Sequence, residues 1–323
     1  MPKCLLKKIL QLRVMTCLFC SLCLVVAIQF FSCYGEYDYA HIPEEKLQEA
    51  LYKATTPHLV RKAEVDCKYD EILTSTKTLQ IWEAVKKYDN FVPTSIVNGS
   101  YLPEHCHPAF SVAILVTYRN RQKQLDVFLP YIHNFLRKQN IHYKIYLIEQ
   151  QDEKPWNKGL LYNIGAKQAI ADKFPCLILH DVDLLPLDRS NLYACAVQPR
   201  HMSASLDKFR FVLPYSWLVG GVLAIRSDQF VLVNGFSNRF HGWGGEDDDF
   251  ANRLAAHGLD ILRFPRSMSR YTMLSHAPEP KNADRRRILE ENRRLAGDGY
   301  GALPYTHTDV RPYRLFTLVV VRT

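Results

Sequence analysis

The sequence predicts an α/β domain, a buried sheet flanked by helices, that follows an N-terminal membrane-spanning helix. The run 110–118 is apolar and rich in β-branched residues, which is typical of a strand buried on both faces. Strand-like and helix-like segments then alternate along the chain, and this alternation favours a sheet with parallel strands. Residues 14–33 form an uncharged run of twenty, long enough to cross a bilayer as a helix.

Charges on either side of the apolar run predict its orientation. Four basic residues precede it and four acidic residues follow it: Lys3, Lys7, Lys8 and Arg13, then Glu36, Asp38, Glu44 and Glu45. The positive-inside rule therefore predicts a cytoplasmic tail at 1–13, a signal anchor at 14–33 and a lumenal body, as in a single-pass type II protein. The alternative is a cleaved signal peptide, but the run is long for one and no A-x-A site follows it.

Periodicity places the elements of the lumenal body. Residues 34–105 are polar and lack a strong period, so they are interpreted as a stem and a peripheral segment before the main domain at 106–323. In that domain we first predict strands at 110–118, 143–149 and 175–180, and amphipathic helices at 122–138 and 159–171. Further on we predict a helix from Asp247 that ends near Gly258, a short strand at 259–264, an exposed helix at 281–296 and a strand at 314–321.

Charge and cysteines narrow the class of protein. The formal charge of +8 is mild for 323 residues, and the basic residues are spread without a nucleic-acid-binding signature, so we exclude nucleic acid as a partner. Four cysteines lie in the lumenal body, where an oxidising compartment favours disulfides and any pairing is open to them: Cys67, Cys106, Cys176 and Cys195. The sequon Asn98-Gly-Ser100 is predicted to be N-glycosylated in the same compartment.

An acidic pair follows the strand predicted at 175–180. In an extended chain Asp181 and Asp183 point to the same side, so both carboxylates can approach a divalent cation and its bound phosphates. Tyr118-Arg-Asn-Arg121 follows another predicted strand, and ligands of open α/β sheets usually bind at such carboxyl ends. The two segments are therefore expected to meet in one crevice. The alternative for each is a solvated turn or loop.

A glycine-rich acidic stretch, His241-Gly-Trp-Gly-Gly-Glu-Asp-Asp-Asp249, precedes a predicted helix. Its glycines allow unusual backbone angles, so Trp243 could swing over a sugar and exclude water. The four successive carboxylates could simply interact with the helix dipole, but they exceed what capping requires. With the acidic pair at 181–183, the stretch suggests a metal-dependent enzyme that transfers a sugar from a phosphorylated donor.

Other side chains could complete such a site. His276 and Met273 are candidate metal ligands, and their alternatives are a structural histidine and a core methionine. Mn²⁺ tolerates an imidazole nitrogen better than Mg²⁺ does. Arg119 and Arg121 have guanidinium groups that suit phosphate geometry. Trp156-Asn-Lys158 offers a stacking face, an amide and a cation, although a surface turn could contain the same residues.

In this order, the motifs resemble the β-1,4-galactosyltransferase family, from about Cys106 to the C-terminus. The matching segments are Arg119-Asn-Arg-Gln122, Asp181-Val-Asp-Leu184, Gln198-Pro-Arg-His201, Asp207-Lys-Phe209, Gly220-Gly221, Asn234-Gly-Phe236, Trp243-Gly-Gly-Glu-Asp-Asp-Asp249 and Met273 to His276. The resemblance implies a Golgi membrane enzyme whose catalytic domain is lumenal and has a GT-A fold, a Rossmann-like mixed sheet that binds a UDP-sugar. It also implies Mn²⁺ as cofactor.

The resemblance further implies roles for individual residues. It gives Asp183, Met273 and His276 as Mn²⁺ ligands, and Asp247 as catalytic base beside Glu246. The residues expected to contact the donor are Arg119, Asn120, Arg121, Trp156, Asn157, Lys158, Val182, Asp183, Lys208, Leu218 and Trp243. Those expected on the acceptor side are Gly244, Gly245, Glu246, Asp247, Asp248 and Asn282, with Arg285 as a further candidate. Cys67 with Cys106, and Cys176 with Cys195, correspond to family disulfides.

The sequence departs from the family pattern at the donor site. Thr117-Tyr118 replaces Pro-Phe, and Trp156-Asn-Lys158 replaces Phe-Asn-Arg. Vertebrate-type members carry Tyr where this chain has Leu218, whereas invertebrate relatives with Leu or Ile there use UDP-GalNAc. Without the bulk and hydroxyl of Tyr, an N-acetyl group should fit, so the resemblance favours transfer of GalNAc in β-1,4 linkage to terminal GlcNAc of a glycoprotein or glycolipid.

Other functions remain as alternatives. The first is a β-1,4-galactosyltransferase that uses UDP-Gal, in which case Leu218 would only pack a core. A catalytically silent glycan-binding relative and a hydrolase that releases UDP without an acceptor are remoter. Loss of Asp183, His276 or Asp247 would have favoured the silent relative, and all three are present.

Overall fold

A computed structural model describes residues 3–32, 38–57, 59–75, 95–292, 297–304 and 307–322. The chain divides into two compact units, Met1–Tyr39 and Ala40–Thr323. The first contains helix α1 (Lys3–Ser32), whose stretch Gln11–Phe30 is apolar and long enough to cross a membrane. A signal sequence near an N-terminus would have the same length and composition. Cys33, the predicted end of the span, lies outside the described residues.

The described residues of the second unit form two sheets. Their strands are β1 (Ser100–Tyr101), β2 (Ser111–Tyr118), β3 (His142–Gln150), β4 (Cys176–Asp181), β5 (Leu184–Pro186), β6 (Arg200–His201), β7 (Ser205–Leu206), β8 (Val222–Arg226), β9 (Arg270–Met273), β10 (His307–Pro312) and β11 (Thr317–Arg322). In the described residues the main sheet has the order β10-β11-β3-β2-β4-β8-β6, with β1 also paired to β3. The smaller sheet has the order β5-β9-β7.

The main sheet is mixed. Strand β2 pairs in parallel with β3 and β4, and β3 pairs in parallel with β11. Strands β8 and β10 run antiparallel to their neighbours β4 and β11. Parallel strands at the centre explain why the segment 110–118 reads as a continuous apolar run, because β2 is buried along its whole length.

Helices cover both faces of this sheet. In the described residues, the helices of this unit are α2 (Leu47–Ala50), α3 (Asp70–Leu73), α4 (Gln122–Leu136), α5 (Lys158–Ala171), α6 (Ser227–Leu232), α7 (Glu246–Ala256) and α8 (Arg285–Asn292), with 3₁₀ turns at Glu44–Lys46, Arg137–Gln139 and Asp207–Phe209. Alternate residues of β2 enter different core clusters: Ile114 packs with residues of α4, and Leu115 packs with residues of α5 and α7. The predicted α/β class and its mixed, GT-A-like sheet are therefore confirmed.

Three predicted elements differ from the structure. Residues 259–264 form no strand, because only Leu262 makes a bridge, to Arg200. The helix predicted at 281–296 begins at Arg285, since a turn precedes it in which the side-chain oxygen of Asn282 accepts from the Asp284 amide. Residues 293–296 lie outside the described part. The strand predicted at 314–321 is β11, and it forms a hairpin with β10, which the sequence did not predict.

The segment predicted as a stem contributes to the core. Leu47, Tyr69 and Leu73 are buried in the same cluster as the β2 residues that face α4. Disulfides join Cys67 to Cys106 and Cys176 to Cys195, the pairs that the resemblance implied. The first disulfide ties part of the predicted stem to the start of the sheet. Residues 34–37, 58 and 76–94 of that segment lie outside the described residues.

Candidate active site

A cleft opens where β2 and β4 end, at the carboxyl edge of the main sheet. Its lining combines both acidic clusters with basic and aromatic groups: Thr117, Arg119, Arg121, Trp156, Lys158, Asp181, Val182, Asp183, Lys208, Gly242, Trp243, Glu246, Asp247, Met273, His276 and Glu279. The crevice expected from the two strand ends therefore forms. It contains most of the side chains expected around the donor, although these come from segments as far apart in sequence as Arg119 and Trp243.

Lys158 lies between the two acidic clusters. Its Nζ is 3.0 Å from Oδ1 of Asp181, 3.5 Å from Oδ2 of Asp247 and 3.8 Å from Oε1 of Glu246. Tyr162, one turn along α5, donates its hydroxyl to the same Asp181 oxygen at 3.2 Å. A residue expected to contact the donor thus joins the acid at the end of β4 to the acids at the start of α7.

Asn157 fixes the start of the helix that carries Lys158. Its side-chain oxygen accepts from the Leu160 amide at 2.9 Å, and its Nδ2 donates to the carbonyl of Asn238 at 2.7 Å. Asn157 was expected to contact the donor, but the structure buries it outside the cleft lining. The reason is the helix N-cap, which uses the amide oxygen of Asn157 to satisfy a backbone donor.

Burial and mutual repulsion raise the pKa values of two acids near Lys158, Asp181 and Glu246. Burial, opposed by Lys158, raises the pKa of Asp181 to about 6. Burial, together with the nearby charge of Asp247, raises the pKa of Glu246 to about 7, and Lys158 again opposes the shift. Burial disfavours the charged form of Lys158, but Asp181 and Asp247 outweigh it and hold the Lys158 pKa well above its ordinary value. At neutral pH the site therefore combines an ammonium group with a Glu246 that is partly protonated.

The four consecutive carboxylates of α7 have different surroundings. Glu246 and Asp247 line the cleft, whereas Asp249 is buried and accepts from Arg253 at 2.7 Å and from Asn292 at 3.0 Å. Asp248 accepts from the Tyr215 hydroxyl at 3.2 Å. Asp249 therefore anchors α7, and the interpretation that some of these acids only support the helix applies to it.

Two glycines allow this close packing. A Cβ on Gly220 would lie 2.5 Å from Oδ2 of Asp247, so only glycine lets the backbone before β8 approach that carboxylate. Gly245, the residue before α7, has a φ of 101°, a conformation that L side chains rarely adopt. Gly220 thus lets the backbone approach Asp247, and Gly245 lets the chain turn into the helix that carries it.

The expected metal ligands meet at the other end of the cleft. Nε2 of His276 lies 2.6 Å from Oδ2 of Asp183, and Met273 lines the same wall. Asp181 and Asp183 have different partners, so the pair does not act as one unit in the way an extended strand suggested. In the described part of the chain, no group of three or more His, Cys, Asp or Glu side chains forms a metal-binding cluster. The candidate set is therefore one carboxylate, one imidazole and one thioether.

Arginines and Trp156 form the outer wall. Arg119 donates to Glu279 at 3.0 Å, and its guanidinium carbon lies 5.3 Å from the centre of the Trp156 ring. Arg121 donates to the carbonyl of Ala277 at 2.9 Å. Asn120 has a φ of 53° and lines an adjoining pocket with Arg119 and Trp156. An anionic ligand that entered here would compete with Glu279 for the arginines.

The segment around Trp243 is paired with the segment before α8. The Trp243 amide donates to the carbonyl of Pro280 at 2.8 Å, and the Asn282 amide donates to the Trp243 carbonyl at 3.0 Å. The Arg285 guanidinium lies 5.7 Å from the centre of the Trp243 ring, which is itself exposed. Asn282 and Arg285, both expected on the acceptor side, thus lie beside Trp243 and Gly244.

One residue expected at the donor lies outside the cleft lining, and several residues of the site were not predicted from the sequence. Leu218 is half-buried and lies outside the cleft lining. Tyr162, Tyr215 and Glu279 contact expected site residues but were not predicted, because an isolated Tyr or Glu carries no local pattern. Thr117 lines the cleft, and its position at the end of a predicted strand could have indicated it.

Replacing Glu246 by Gln is expected to flatten the pH dependence of the unfolding free energy. Because the pKa of Glu246 rises from 4.5 to about 7 on folding, the folded protein retains a proton that the unfolded chain releases between these values. The contribution of Glu246 to the unfolding free energy should therefore fall as pH rises from 4.5 to about 7, by at most about 3 kcal/mol. Urea unfolding in detergent across this range measures the effect. An unchanged slope in Glu246→Gln, relative to the exposed Glu290→Gln control, would contradict the assignment.

Comparisons with known proteins agree with this geometry. A model described as the N-terminal region of glycosyl transferase group 7 matches residues 62–196, and one described as the N-terminal domain of galactosyltransferase matches residues 200–277. β-1,4-Galactosyltransferase 1 of Mus musculus is 40% identical over 236 residues, 71% of this chain and 59% of the relative. β-1,4-Galactosyltransferase 4 of Cricetulus griseus is 38% identical over 231 residues, 70% of this chain and 67% of the relative.

A solved structure shares the fold. The catalytic domain of Drosophila β-1,4-galactosyltransferase 7, in complex with xylobiose, superposes with a TM-score of 0.56 at 26% identity, covering 66% of this chain and 93% of that one. A mutant of the same protein, in complex with manganese, UDP-Gal and xylobiose, gives the same values.

A mixed sheet with a carboxyl-edge cleft, together with these matches, defines a protein of the GT-A fold class. The chain belongs to the β-1,4-galactosyltransferase family. The match spans about three fifths of the length of the mouse relative.

Proposed function

We propose that this chain is an inverting, Mn²⁺-dependent β-1,4-glycosyltransferase that moves GalNAc from UDP-GalNAc to a terminal GlcNAc of a glycoprotein or glycolipid glycan. The observation that carries the proposal is the arrangement of the cleft. A carboxylate beside an imidazole lies at one end, and Asp247 beside a buried ammonium lies at the other. Such a site can hold a charged donor and deprotonate an acceptor.

The candidate metal ligands fit a divalent cation. The Asp183 carboxylate and His276 imidazole are already in contact, and Met273 lines the same wall. Carboxylate oxygen with imidazole nitrogen suits a cation of intermediate hardness such as Mn²⁺, and a relative's structure contains manganese. Bound by Asp183, His276 and Met273, the ion would supply Lewis-acid neutralisation of the diphosphate leaving group.

Asp247 acts as the general base in this proposal. Its carboxylate lines the cleft, and Nζ of Lys158 lies 3.5 Å from its Oδ2. Asp247 would take the proton from the acceptor 4-hydroxyl as that oxygen attacks the anomeric carbon, which inverts an α-linked donor to a β product. Arg119, Arg121 and Lys208 would bind the diphosphate, and Trp243 would cover the sugar and exclude water.

The choice of donor rests on Leu218. It lies two residues before Gly220, where the backbone comes close to Asp247, so a change at 218 can reach the pocket around Asp247. Leu offers neither the hydroxyl nor the bulk of Tyr, which favours an N-acetyl group at C2. The second candidate is a UDP-Gal-dependent β-1,4-galactosyltransferase, because the relatives carry that name and one structure contains UDP-Gal.

Leu218→Tyr is expected to shift the ratio of kcat/KM for UDP-GalNAc over UDP-Gal by at least about tenfold toward UDP-Gal. The added ring and hydroxyl would crowd the N-acetyl group but leave the galactose hydroxyl accommodated. Leu218→Ile is the matched control and should keep the wild-type ratio. A ratio that does not move in Leu218→Tyr would show that another residue selects the donor.

One assay tests the proposed function directly. The protein is incubated with Mn²⁺, a GlcNAc acceptor and either UDP-GalNAc or UDP-Gal, and the product is identified by mass spectrometry and NMR. A β-1,4-linked GalNAc product supports the proposal, and a galactosylated product supports the second candidate. UDP release that does not depend on the acceptor would indicate hydrolysis. Glycan binding without turnover would indicate a catalytically silent relative.

The cellular setting is part of the proposal. The apolar helix α1 would anchor the protein in the Golgi membrane as a type II protein, with the second unit in the lumen. Disulfides within that unit suit an oxidising compartment. Asn98 is exposed in a turn, with a φ of 54°, and is accessible to N-glycosylation.

A further inference from the structure

A buried hydrogen-bond chain of three side chains joins the main sheet to the smaller sheet. Its members are His180 in β4, Tyr193 in the segment between β5 and β6, and Tyr271 in β9, and all three are completely buried. The Tyr193 hydroxyl lies 2.9 Å from Nε2 of His180 and 3.0 Å from the Tyr271 hydroxyl. Nδ1 of His180 lies 2.8 Å from the carbonyl oxygen of Asp181. The chain therefore ends at the backbone of the first acid of the pair at 181–183.

The direction of each hydrogen bond in this chain follows from its end. A carbonyl oxygen only accepts, so Nδ1 of His180 carries the proton that it donates to Asp181. Burial lowers the pKa of His180 to about 4, so the ring is neutral and its Nε2 accepts from Tyr193. The single Tyr193 proton is used there, so Tyr271 donates to the Tyr193 oxygen. Removing either hydroxyl thus leaves a buried acceptor without its donor.

The Tyr271 end of the chain lies in the strand that carries Met273. Residues i and i+2 of a strand face the same side, so a bond at Tyr271 fixes the face that presents Met273. Met273 pairs with Leu184 in β5, and the Leu274 amide donates to the carbonyl of Asp183 at 2.7 Å. Asp183 and Met273 are therefore held together by the backbone of the smaller sheet.

The His180 end of the chain lies where β4 leads into the acidic pair. The Asp181 carbonyl accepts from His180, and the Asp181 amide donates to the carbonyl of Gly221 at 3.0 Å. The backbone at the end of β4 is thus bonded through both its polar groups. A cation site needs its ligands at set distances, and a bond between the two sheets determines where the ligands of the smaller sheet stand before the ion binds.

We propose that Tyr271 is a positioning residue for the cation site. Through the buried hydrogen-bond chain it holds Asp183 and Met273 in place relative to β4. The inference rests on the proposed function, in which these two residues are Mn²⁺ ligands. Partners behind metal ligands fix the orientation of the ligands, and their loss lowers metal affinity. None of the three side chains of the chain lines the cleft, so the chain acts on the affinity for the ion and not on the chemical step.

The test removes single hydroxyl groups and measures the affinity for Mn²⁺ itself. Full-length protein in detergent is titrated with Mn²⁺ by electron paramagnetic resonance, and thermal unfolding is measured on the same samples. Tyr271→Phe should raise the Kd for Mn²⁺ about three- to tenfold. At saturating Mn²⁺ its kcat should stay within about twofold of wild type. Tyr193→Phe should also raise the Kd, and the double variant should match Tyr193→Phe alone, because both hydroxyls belong to one chain.

The matched control is Tyr143→Phe, which removes another buried hydroxyl, 2.8 Å from Nδ1 of His133. It should lower the unfolding midpoint but leave the Kd for Mn²⁺ unchanged. An unchanged Kd in Tyr271→Phe would overturn the inference, and so would an equal rise in Tyr143→Phe, because either result leaves the chain a purely structural role. The proposed function is tested separately. A wild type that binds no Mn²⁺, or Asp183→Asn with wild-type affinity, would contradict the metal site itself.

Discussion

Asp247→Asn is expected to lower kcat by about 10²- to 10⁴-fold while leaving the Kd for UDP and Mn²⁺ nearly unchanged. Asparagine has the shape of aspartate but cannot accept the acceptor proton. The neighbouring carboxylates cannot replace it. Glu246 is partly protonated at neutral pH, Asp248 accepts a hydrogen bond from Tyr215, and Asp249 accepts one from Arg253. Single-turnover transfer and UDP titration in parallel would separate the loss of chemistry from a loss of binding.

The control for this variant is Asp260→Asn, which removes an exposed carboxylate outside the cleft lining. It should transfer at the wild-type rate. A wild-type kcat in Asp247→Asn would contradict the assignment of Asp247 as the general base. A large loss of UDP binding would instead show that Asp247 mainly positions Lys158 and, through it, the donor side of the cleft.

The fold was predictable where the sequence carries a period or a motif. Strand β2 and helix α4 appear within one or two residues of their predicted bounds, because a doubly buried strand and an amphipathic helix each leave a clear pattern. Strand β10 lacks such a pattern. It lies at the edge of the sheet and pairs only with β11, so its residues need not be apolar on both faces. Residues 259–264 show the opposite case, because their composition is typical of a strand but only Leu262 makes a bridge, to Arg200.

The candidate site was predictable as a set of residues but not as a set of contacts. The resemblance named Asp183, His276 and Met273 together, and the structure places them along one wall. Nothing in the sequence showed that Lys158 contacts acids from two distant segments, because that contact depends on how α5 and α7 pack on the sheet. Pairing between charges far apart in sequence is a tertiary property, and local spacing does not encode it.

Lys158→Met is therefore expected to affect stability and catalysis together. The substitution leaves Asp181, Glu246 and Asp247 without their shared cation in a largely buried site, which should cost on the order of 3 kcal/mol of unfolding free energy at pH 8. Repulsion between the acids should also raise the pKa values of Asp181 and Glu246 further, and kcat should fall because Asp247 loses the ammonium group that lies 3.5 Å from its carboxylate. Lys158→Arg keeps the charge and should lose much less.

The pH dependence decides between two roles for Lys158. In wild type the pKa values of Asp181 and Glu246 are raised to about 6 and about 7, above the values of the unfolded chain. Without the lysine they would rise further, so the destabilisation should be greatest above pH 7 and shrink as pH falls and the acids take up protons. If Lys158 instead mainly binds the donor phosphate, Lys158→Met would raise the KM for the UDP-sugar and leave the stability at the wild-type value. The exposed control Lys167→Met should change neither the KM nor the stability. Urea unfolding at pH 5 and pH 8, with KM measured on the same samples, distinguishes a bridge between carboxylates from a donor contact.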